Sequence, residues 1–331
     1  MGLDSIAAPT AGEWLARMAG RRVVVIGDIM IDEWIWGKVT RISPEAPVPV
    51  VSVNDHSFTL VGAGTVANNL RALGATVAFV GAVGEDAEGR RARALLEEIA
   101  VDTRGIISVT DRPTTRKTRI VAHNQQVVRA DWESTAPLGA TDRAAAVARV
   151  AEVVGDADAV VLSDYGKGFL SREIVEAALA CPLVIADPKP ENVAMFAGVN
   201  CIAPNVSEAA RATGIAIVDS ASLELAGRTL LNRLGCRDVI ITRGEAGMSL
   251  FGRDGERADI PSVARSVFDV SGAGDTVVAV LTLALAARMP IETAMQLANF
   301  AAGAVVEKLG TATASPQEII ALLEDDVGRR A

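Results

Sequence analysis

The chain has 331 residues, half of them hydrophobic, and a formal net charge of −9 without a long run of Lys or Arg. That length can hold one large α/β domain or two smaller ones, each with a full core. The acidic balance argues against nucleic acid as the main partner. No uninterrupted apolar stretch approaches the length of a membrane span, so we expect no membrane partner.

The few cysteines and histidines narrow the chemistry further. Cys181, Cys201 and Cys236 are widely spaced and form no C-x-x-C pair, which is typical of reduced thiols. Only two histidines occur, His56 and His123, and this excludes most hydrolase triads and His-rich metal sites. The N-terminus carries no basic apolar leader, so we expect a cytoplasmic protein.

Apolar runs of β type alternate with helical patterns along most of the chain. The predicted strands occupy residues 22–27, 77–81, 159–163, 183–186, 201–203 and 238–242. The amphipathic stretches occupy residues 66–73, 89–99, 141–154, 172–180 and 220–234. Continuous apolar strands separated by helices predict an α/β fold whose parallel sheet is covered on both faces.

Two segments break this rhythm and predict a small antiparallel β lid. Residues 34–55 contain three prolines followed by the alternating Val50-Val-Ser-Val, and residues 113–132 predict a hairpin that turns at His123-Asn124. Polar and apolar residues alternate here, so one face is wet or meets a ligand. An ordinary sheet extension with solvated arginines is the alternative. Because exposed β edges pair readily, we expect a homodimer through the lid.

A glycine-rich turn carries the main chemical signal. Gly272-Ala-Gly-Asp275 lies between a short predicted strand, residues 265–268, and a long apolar run that predicts a buried helix. Free backbone N–H groups at a helix start bind phosphate-like anions, and Asp275 adds a carboxylate in the same turn. An anion site beside a carboxylate suits phosphoryl transfer. A plain glycine-rich helix start is the alternative.

Polar clusters also follow other predicted strands, where open α/β sheets bind ligands. The residues that could contact a sugar or its charges are Asp28, Asp32, Gly62, Gly64, Asp164 and Lys189. Each has a structural alternative, since acidic and glycine turns also cap helices and a lysine can pair with a neighbouring aspartate.

Two further clusters could serve a nucleotide and its metal. Asn205 and Glu208 share one helix face and could hold the water shell of Mg²⁺, although the same spacing is a good N-terminal capping pattern. Thr242 and Gly244 close a strand against which a nucleotide could lie.

The joint order of these motifs resembles the ribokinase (PfkB) family of carbohydrate kinases over essentially all of residues 20–320. The family's C-terminal signature is matched by residues 269–275. Within the family the chain is similar to the stand-alone kinases that phosphorylate D-glycero-β-D-manno-heptose 7-phosphate at the anomeric position, an early step toward lipopolysaccharide. The segments behind this are residues 38–49, 117–119, 124–126, 163–168 and 308–311.

The resemblance implies a ribokinase-like fold: three layers, with a parallel sheet between helices and a small antiparallel β lid. One kinase domain would span residues 12–331, with residues 1–11 flexible and the lid segments inserted. The implied substrates are ATP and a phosphosugar. The implied metals are Mg²⁺ and, as an option, the monovalent cation K⁺.

Residue roles follow from the same resemblance. Asp275 would take a proton from the acceptor hydroxyl, and we expect its helix-terminal position to keep it ionised. The turn at Gly272 would present the N–H groups of Ala273, Gly274 and Asp275 to the phosphoryl group. The sugar would contact Asp28, Asp32, Gly62, Gly64, Thr65, Asp164 and Lys189, and its phosphate Lys117, Arg119 or Arg129. The nucleotide would contact Asn205, Thr242, Gly244, Asn299 and Ala302, and the metals Glu208, Asn205, Asp269 and Ser271.

Three departures from the family pattern leave other functions open. Val61 replaces a glycine, Thr65 replaces a sugar-binding asparagine, and Val270 replaces a threonine of the signature. The alternatives are another sugar or sugar-phosphate kinase of this family, and a sugar- and nucleotide-binding protein with impaired catalysis. An NAD dehydrogenase is disfavoured because Gly27-Asp28 lacks the G-x-G-x-x-G turn.

Overall fold

The computed structural model of the chain describes residues 8–123, 125–264, 268–308 and 310–330. Most of the short strand predicted at 265–268 lies outside these ranges. So do the turn residue Asn124, residue 309 of the 308–311 match, and residues 1–7 of the segment expected to be flexible.

Strands and helices alternate in the described ranges as the sequence pattern predicts. The strands are Arg22–Gly27 (β1), Ile29–Ile42 (β2), Pro49–Gly62 (β3), Thr76–Gly84 (β4), Asp102–Val109 (β5), Arg116–Ala122 (β6), Gln125–Trp132 (β7), Ala159–Ser163 (β8), Val184–Asp187 (β9), Cys201–Ile202 (β10), Asp238–Thr242 (β11), Met248–Gly252 (β12) and Arg257–Ile260 (β13). The helices are Ala8–Met18 (α1), Ala63–Ala72 (α2), Ala87–Glu98 (α3), Ala140–Val154 (α4), Arg172–Ala178 (α5), Val206–Thr213 (α6), Ser220–Leu234 (α7), Ala273–Ala286 (α8), Ile291–Val306 (α9) and Pro316–Arg330 (α10).

The main sheet has nine strands in the order β13-β12-β11-β10-β9-β8-β1-β4-β5. All neighbours pair in parallel except β11–β12 and β12–β13, which are antiparallel. Along β1, Val23 and Val25 face a core that includes α1, α2, α8 and α9, whereas Val24 and Ile26 face the core of α4, α5 and α7. Burial on both faces makes three layers and confirms the predicted α/β fold.

Several elements begin and end where the sequence predicts, among them β1, β8, β11 and α7. The pattern did not reveal β5, β12 or β13, which lie at the two ends of the sheet order. Helix α1 starts at Ala8, inside the segment expected to be flexible, and its Ala11, Leu15 and Met18 are buried against α8 and α10. Their i, i+4, i+7 spacing gives the helix one apolar face.

The lid is a separate four-stranded sheet in the order β3-β2-β6-β7. β2 pairs with β3 and β6 pairs with β7 in antiparallel fashion, but β2 and β6 run parallel to each other. Turn sequences predict the local hairpin, whereas the pairing between strands distant in sequence follows from how the chain folds back. One residue, Asp28, separates the end of β1 from the start of β2, and β3 runs directly into α2, so the lid is continuous with the core.

None of the helices in the described ranges is at once long and apolar enough to cross a membrane.

Candidate active site

The turn before α8 presents backbone donors beside a buried carboxylate. Gly272 adopts a φ of 80°, in the left-handed region that favours glycine, and Asp275 lies in the first turn of the helix with 6% of its surface exposed. The N–H of Ala273 bends back to the carbonyl of Val270 at 3.2 Å. Within the described residues, the N–H groups of Gly274 and Asp275 have no acceptor. The expected three-donor anion site is therefore corrected to two donors.

Burial raises the pKa of Asp275 to about 7, although a hydrogen bond from Tyr165 and the charge of Lys189 act in the opposite direction. Glu208 adds to the increase through like-charge repulsion. The expectation that the helix terminus keeps this carboxylate ionised is therefore wrong: removal from water outweighs the dipole. A carboxylate that titrates near neutral pH is well matched to proton transfer there.

Tyr165 is a site residue that the sequence analysis missed. Its hydroxyl donates a hydrogen bond of 2.5 Å to Oδ1 of Asp275. Tyr165 is the only tyrosine of the chain and lies within the matched segment 163–168. That segment signalled its importance, but the contact spans the fold and only the structure reveals it.

Asp28 and Asp164 hold the loop that carries Tyr165. Asp28 accepts backbone hydrogen bonds from Tyr165, Lys167 and Phe169. Asp164 accepts three more, from the backbones of Gly166 and Lys189 and from the side chain of Asn192. Both carboxylates are at least 97% buried. Their oxygens already bind the protein's own N–H groups, and their expected contact with the sugar stays a prediction.

The turn before α2 packs against the start of α8. Gly62 has a φ of 69°, and a side chain there would begin 2.7 Å from the carbonyl oxygen of Asp28. A side chain on Gly64 would meet Leu60 at 3.0 Å. Thr65 is 1% exposed, and its hydroxyl donates to the carbonyl of Leu60. We correct its expected sugar contact to a packing role, because Thr65 lies beneath Gly272 and is closed to solvent.

One face of the lid carries the cations proposed for the sugar phosphate. Arg119 donates to Asp32 at 2.9 Å, and Arg129 donates to Asp131 at 2.9 Å. Lys117 makes no ion pair or hydrogen bond among the described residues. Burial lowers the pKa of Lys117, as do the nearby charges of Lys167 and Arg129, whereas Asp131 and Glu133 act in the opposite direction. Of these three cations in the described ranges, Lys117 is the one whose side chain makes no direct ion pair.

Asn205 and Glu208 form a capping box at the start of α6, which was the structural alternative for this motif. Oε2 of Glu208 accepts the N–H of Asn205 at 3.0 Å, and Oε1 accepts Nζ of Lys189 at 2.7 Å. Each oxygen thus already accepts a hydrogen bond, which favours contact with a metal through its bound water. Asn205 caps α6 through Oδ1, and its expected contacts with the metal and the nucleotide stay predictions.

Buried carboxyl groups lie close to Glu208. Burial raises the pKa of Asp187 well above its usual value, and repulsion from Glu208 and Asp275 adds to this. In the part of the chain that the structure describes, no three His, Cys, Asp or Glu side chains converge on a metal site. These carboxyl groups fit Mg²⁺ that is held mostly through its own water shell, because a nearby cation would relieve their mutual repulsion.

Asp269 ties the turn before α8 to the loop before α10. Its Oδ1 accepts the N–H of Ser271 at 2.9 Å, and its Oδ2 accepts the N–H of Gly310 at 3.0 Å. Burial opposes ionisation, but these hydrogen bonds together lower the pKa of Asp269. The carboxylate thereby fixes the geometry of the predicted cation-binding residues Asp269 and Ser271.

A cavity of about 520 Å³ opens beside the two free N–H groups. Four of the residues predicted to contact the nucleotide line it: Thr242, Gly244, Asn299 and Ala302. The other lining residues are Glu245, Gly247, Met248, Ser262, Ala264, Val270, Ala273, Gly274, Val277, Gly303 and Val306. An apolar cavity that ends at an anion-binding helix start has the form expected for a nucleotide with its phosphates.

The model of the pfkB family of carbohydrate kinases matches residues 21–318. The chain belongs to this family. It is therefore a carbohydrate kinase. The buried carboxylate of Asp275 and the free N–H groups of Gly274 and Asp275 lie in the segment that matches the family's C-terminal signature.

Curated relatives of this pfkB kinase include proteins named bifunctional protein HldE. The one from Desulfatibacillum aliphaticivorans is 46% identical over 309 residues, which are 92% of this chain and 63% of that protein. The one from Gluconacetobacter diazotrophicus is 44% identical over 306 residues, which are 91% of this chain and 63% of that protein. This chain therefore spans less than two thirds of these relatives.

Solved structures share the fold of this pfkB kinase. Ribokinase of Arabidopsis thaliana, solved with ribose and ATP, has a TM-score of 0.71 at 21% identity and covers 92% of this chain and 99% of its own. Phosphofructokinase-2 of Escherichia coli, solved with potassium, has a TM-score of 0.76 at 18% identity with the same coverage. At these identities the likeness establishes the ribokinase-like fold alone.

Proposed function

We propose that this carbohydrate kinase transfers the γ-phosphoryl group of ATP to the anomeric hydroxyl of D-glycero-β-D-manno-heptose 7-phosphate, giving the 1,7-bisphosphate. The observation that carries phosphoryl transfer is the convergence of Asp275, the free N–H groups of Gly274 and Asp275, and the 520 Å³ cavity. The sugar is proposed from the resemblance of segments such as residues 38–49 and 163–168 to heptose-phosphate kinases. We propose a cytoplasmic location, because ATP is supplied there.

The proposed chemistry divides between the carboxylate and the backbone. Asp275 accepts the proton of the acceptor hydroxyl while that oxygen forms a bond to the γ-phosphorus and the bond to the ADP oxygen breaks. The N–H groups of Gly274 and Asp275 hold the negative charge of the moving group. An anomeric hydroxyl is more acidic than an ordinary alcohol, so a carboxylate that titrates near pH 7 is an adequate base.

Charge balance supports a divalent cation on the nucleotide side. Mg²⁺, when bound, would neutralise the charge of the ATP phosphates. Glu208 and Asp187 would hold it through its water shell, since the oxygens of Glu208 already bind protein groups. Asp269 and Ser271 remain our proposal for an optional monovalent cation such as K⁺.

We infer that Lys117 is the main contact of the sugar's own phosphate. Arg119 and Arg129 already pair with Asp32 and Asp131, whereas Lys117 has no such partner in the described ranges. The positive groups that lower its pKa make the same point attractive for an anion. Asp32 would contact the sugar hydroxyls from the opposite strand, where it is aligned with Lys117.

The decisive experiment is a screen of phosphosugars for ADP release, coupled to ³¹P and ¹³C NMR of the product. We expect turnover with the heptose 7-phosphate and a new phosphate on the anomeric carbon. Turnover with fructose 6-phosphate but not with the heptose would replace the substrate within the same family. ATP binding without turnover of any sugar would favour the impaired binding protein.

We infer a homodimer that forms through the lid. Apolar side chains are exposed on this small sheet, including Trp36 at 37% and Val53 at 58%, and a second copy would cover them. Analytical ultracentrifugation of the chain and of Val53→Lys tests this. We expect a dimer that dissociates in the variant, with Val218→Lys, an exposed residue before α7, as the matched control. A monomeric parent chain would contradict the inference.

A further inference from the structure

Tyr165 contacts the reacting carboxylate directly, yet no step of the proposed mechanism uses it. Its hydroxyl lies 2.5 Å from Oδ1 of Asp275, and Asp275 Oδ2 has no hydrogen-bond partner among the described residues. Nζ of Lys189, which donates to Glu208, lies 5.2 Å from the centre of the tyrosine ring. Tyr165 therefore contacts the base through its hydroxyl, while its ring lies beside Lys189.

The loop that carries Tyr165 is held more firmly than a surface connection requires. Asp28 and Asp164, both buried, bind four of its backbone and neighbouring N–H groups: those of Tyr165, Gly166, Lys167 and Phe169. Burial raises the pKa of Asp28 in spite of these bonds. Burial of this carboxylate costs stability, and the backbone hydrogen bonds offset part of that cost. The same hydrogen bonds hold Tyr165 in a fixed position.

We propose that Tyr165 is the positioning residue of the catalytic base: it holds Oδ1 of Asp275 so that Oδ2 faces the acceptor hydroxyl. In the transfer, the acceptor proton moves to Oδ2 while Tyr165 keeps its own proton. Burial, and then the charge of Asp275, raise the pKa of Tyr165 well above its usual value, so it remains a donor.

The contact also affects how the base titrates. A hydrogen bond donated to the charged form favours ionisation, so Tyr165 opposes the effect of burial on Asp275. The other charged groups that face this carboxylate are Lys189, which also favours ionisation, and Glu208 and Asp187, which disfavour it. Removing the hydroxyl should therefore move the titration of Asp275 to higher pH.

Tyr165→Phe tests this, because it removes only the hydroxyl. We expect the acid limb of the kcat/KM profile to move up by about one pH unit and kcat at pH 7 to fall about tenfold, with KM for ATP unchanged. Thr282→Val is the matched control, since it removes a buried hydroxyl from the same helix about two turns away. An unshifted profile in Tyr165→Phe would refute the proposal.

A second measurement does not depend on that variant folding. Because Tyr165 is the only tyrosine, labelling with 3-fluorotyrosine places a single ¹⁹F nucleus at the contact. We expect its resonance to titrate with a midpoint of about 7, and this step to be absent in Asp275→Asn. The inference would be overturned if the ¹⁹F chemical shift did not change with pH, or if its titration step persisted in Asp275→Asn.

The inference rests on the proposed kinase function, but the two can fail separately. If no sugar supports ADP release that depends on Asp275, the proposed function fails. If such release occurs and neither the profile nor the ¹⁹F titration responds as stated, only the role of Tyr165 fails.

Discussion

The edge of the main sheet and the lid use charge in opposite ways. At the main sheet, Asp28, Asp164 and Asp275 are buried, and the protein's own donors surround the first two. On the lid, Lys117 and Arg129 are partly exposed, and no direct partner compensates Lys117 in the described ranges. A buried, fully bonded carboxylate fixes geometry and shifts a pKa, whereas a half-exposed cation attracts a mobile anion. We therefore propose that proton transfer belongs to the core and substrate recognition to the lid.

The largest effect should come from Asp275→Asn, which removes the base from the core region. We expect activity to fall about 1000-fold, within the usual contribution of a general base, with nucleotide binding retained. ADP release would measure the activity, and calorimetric titration with ATP would measure nucleotide binding.

The same variant should be more stable than the parent. The pKa of Asp275 rises from 3.8 to about 7 on folding, so its charge costs no stability below pH 3.8 and progressively more as pH rises to about 7. The gain in thermal midpoint should therefore be larger at pH 8 than at pH 5. An equal or reversed gain would contradict the buried-charge assignment.

The next largest effect should separate the lid from the core. Lys117→Gln should raise KM for the phosphosugar about 10- to 100-fold with little change in kcat, because a charge-assisted contact to phosphate is lost. Arg129→Gln is the matched control and should change KM less than about threefold, since Arg129 is exposed and already paired. Equal increases of KM in the two variants would contradict the proposal that Lys117 is the main contact of the sugar phosphate.

The pH profile of the unmodified chain should show the core carboxylate alone. Asp275 works in its ionised form, so kcat/KM should rise about tenfold per pH unit below about 7 and level off above it. Lys117→Gln should keep this limb, whereas the residual activity of Asp275→Asn should lack it. If the acid limb persisted in Asp275→Asn, a group other than Asp275 would be responsible for it.

The smallest effect concerns the junction between the two regions. Gly62→Ala should lower stability by about 1–3 kcal/mol, because φ is 69° and the new Cβ would lie 2.7 Å from the carbonyl oxygen of Asp28. Gly155→Ala should be neutral or slightly stabilising, since Gly155 has a φ of −58° and open space around its Cα. Thermal unfolding of both variants tests this contrast.

Local sequence determined a large part of this protein. The apolar runs at β1, β8 and β11 predicted buried parallel strands because both of their faces are covered. Gly272 and Asp275 marked the start of α8, because its left-handed N-cap favours glycine and its first turn favours an acidic residue. The capping-box alternative for Asn205 and Glu208 was likewise readable from spacing alone.

Only the tertiary structure decided what the polar residues do. It closed Thr65 beneath Gly272, committed Asp28 and Asp164 to backbone donors, and brought Tyr165 to Asp275. It also raised the pKa of Asp275, which the helix terminus alone would have lowered. Propensity and periodicity act over a few residues. Burial and hydrogen-bond partners, in contrast, depend on segments that meet across the whole chain.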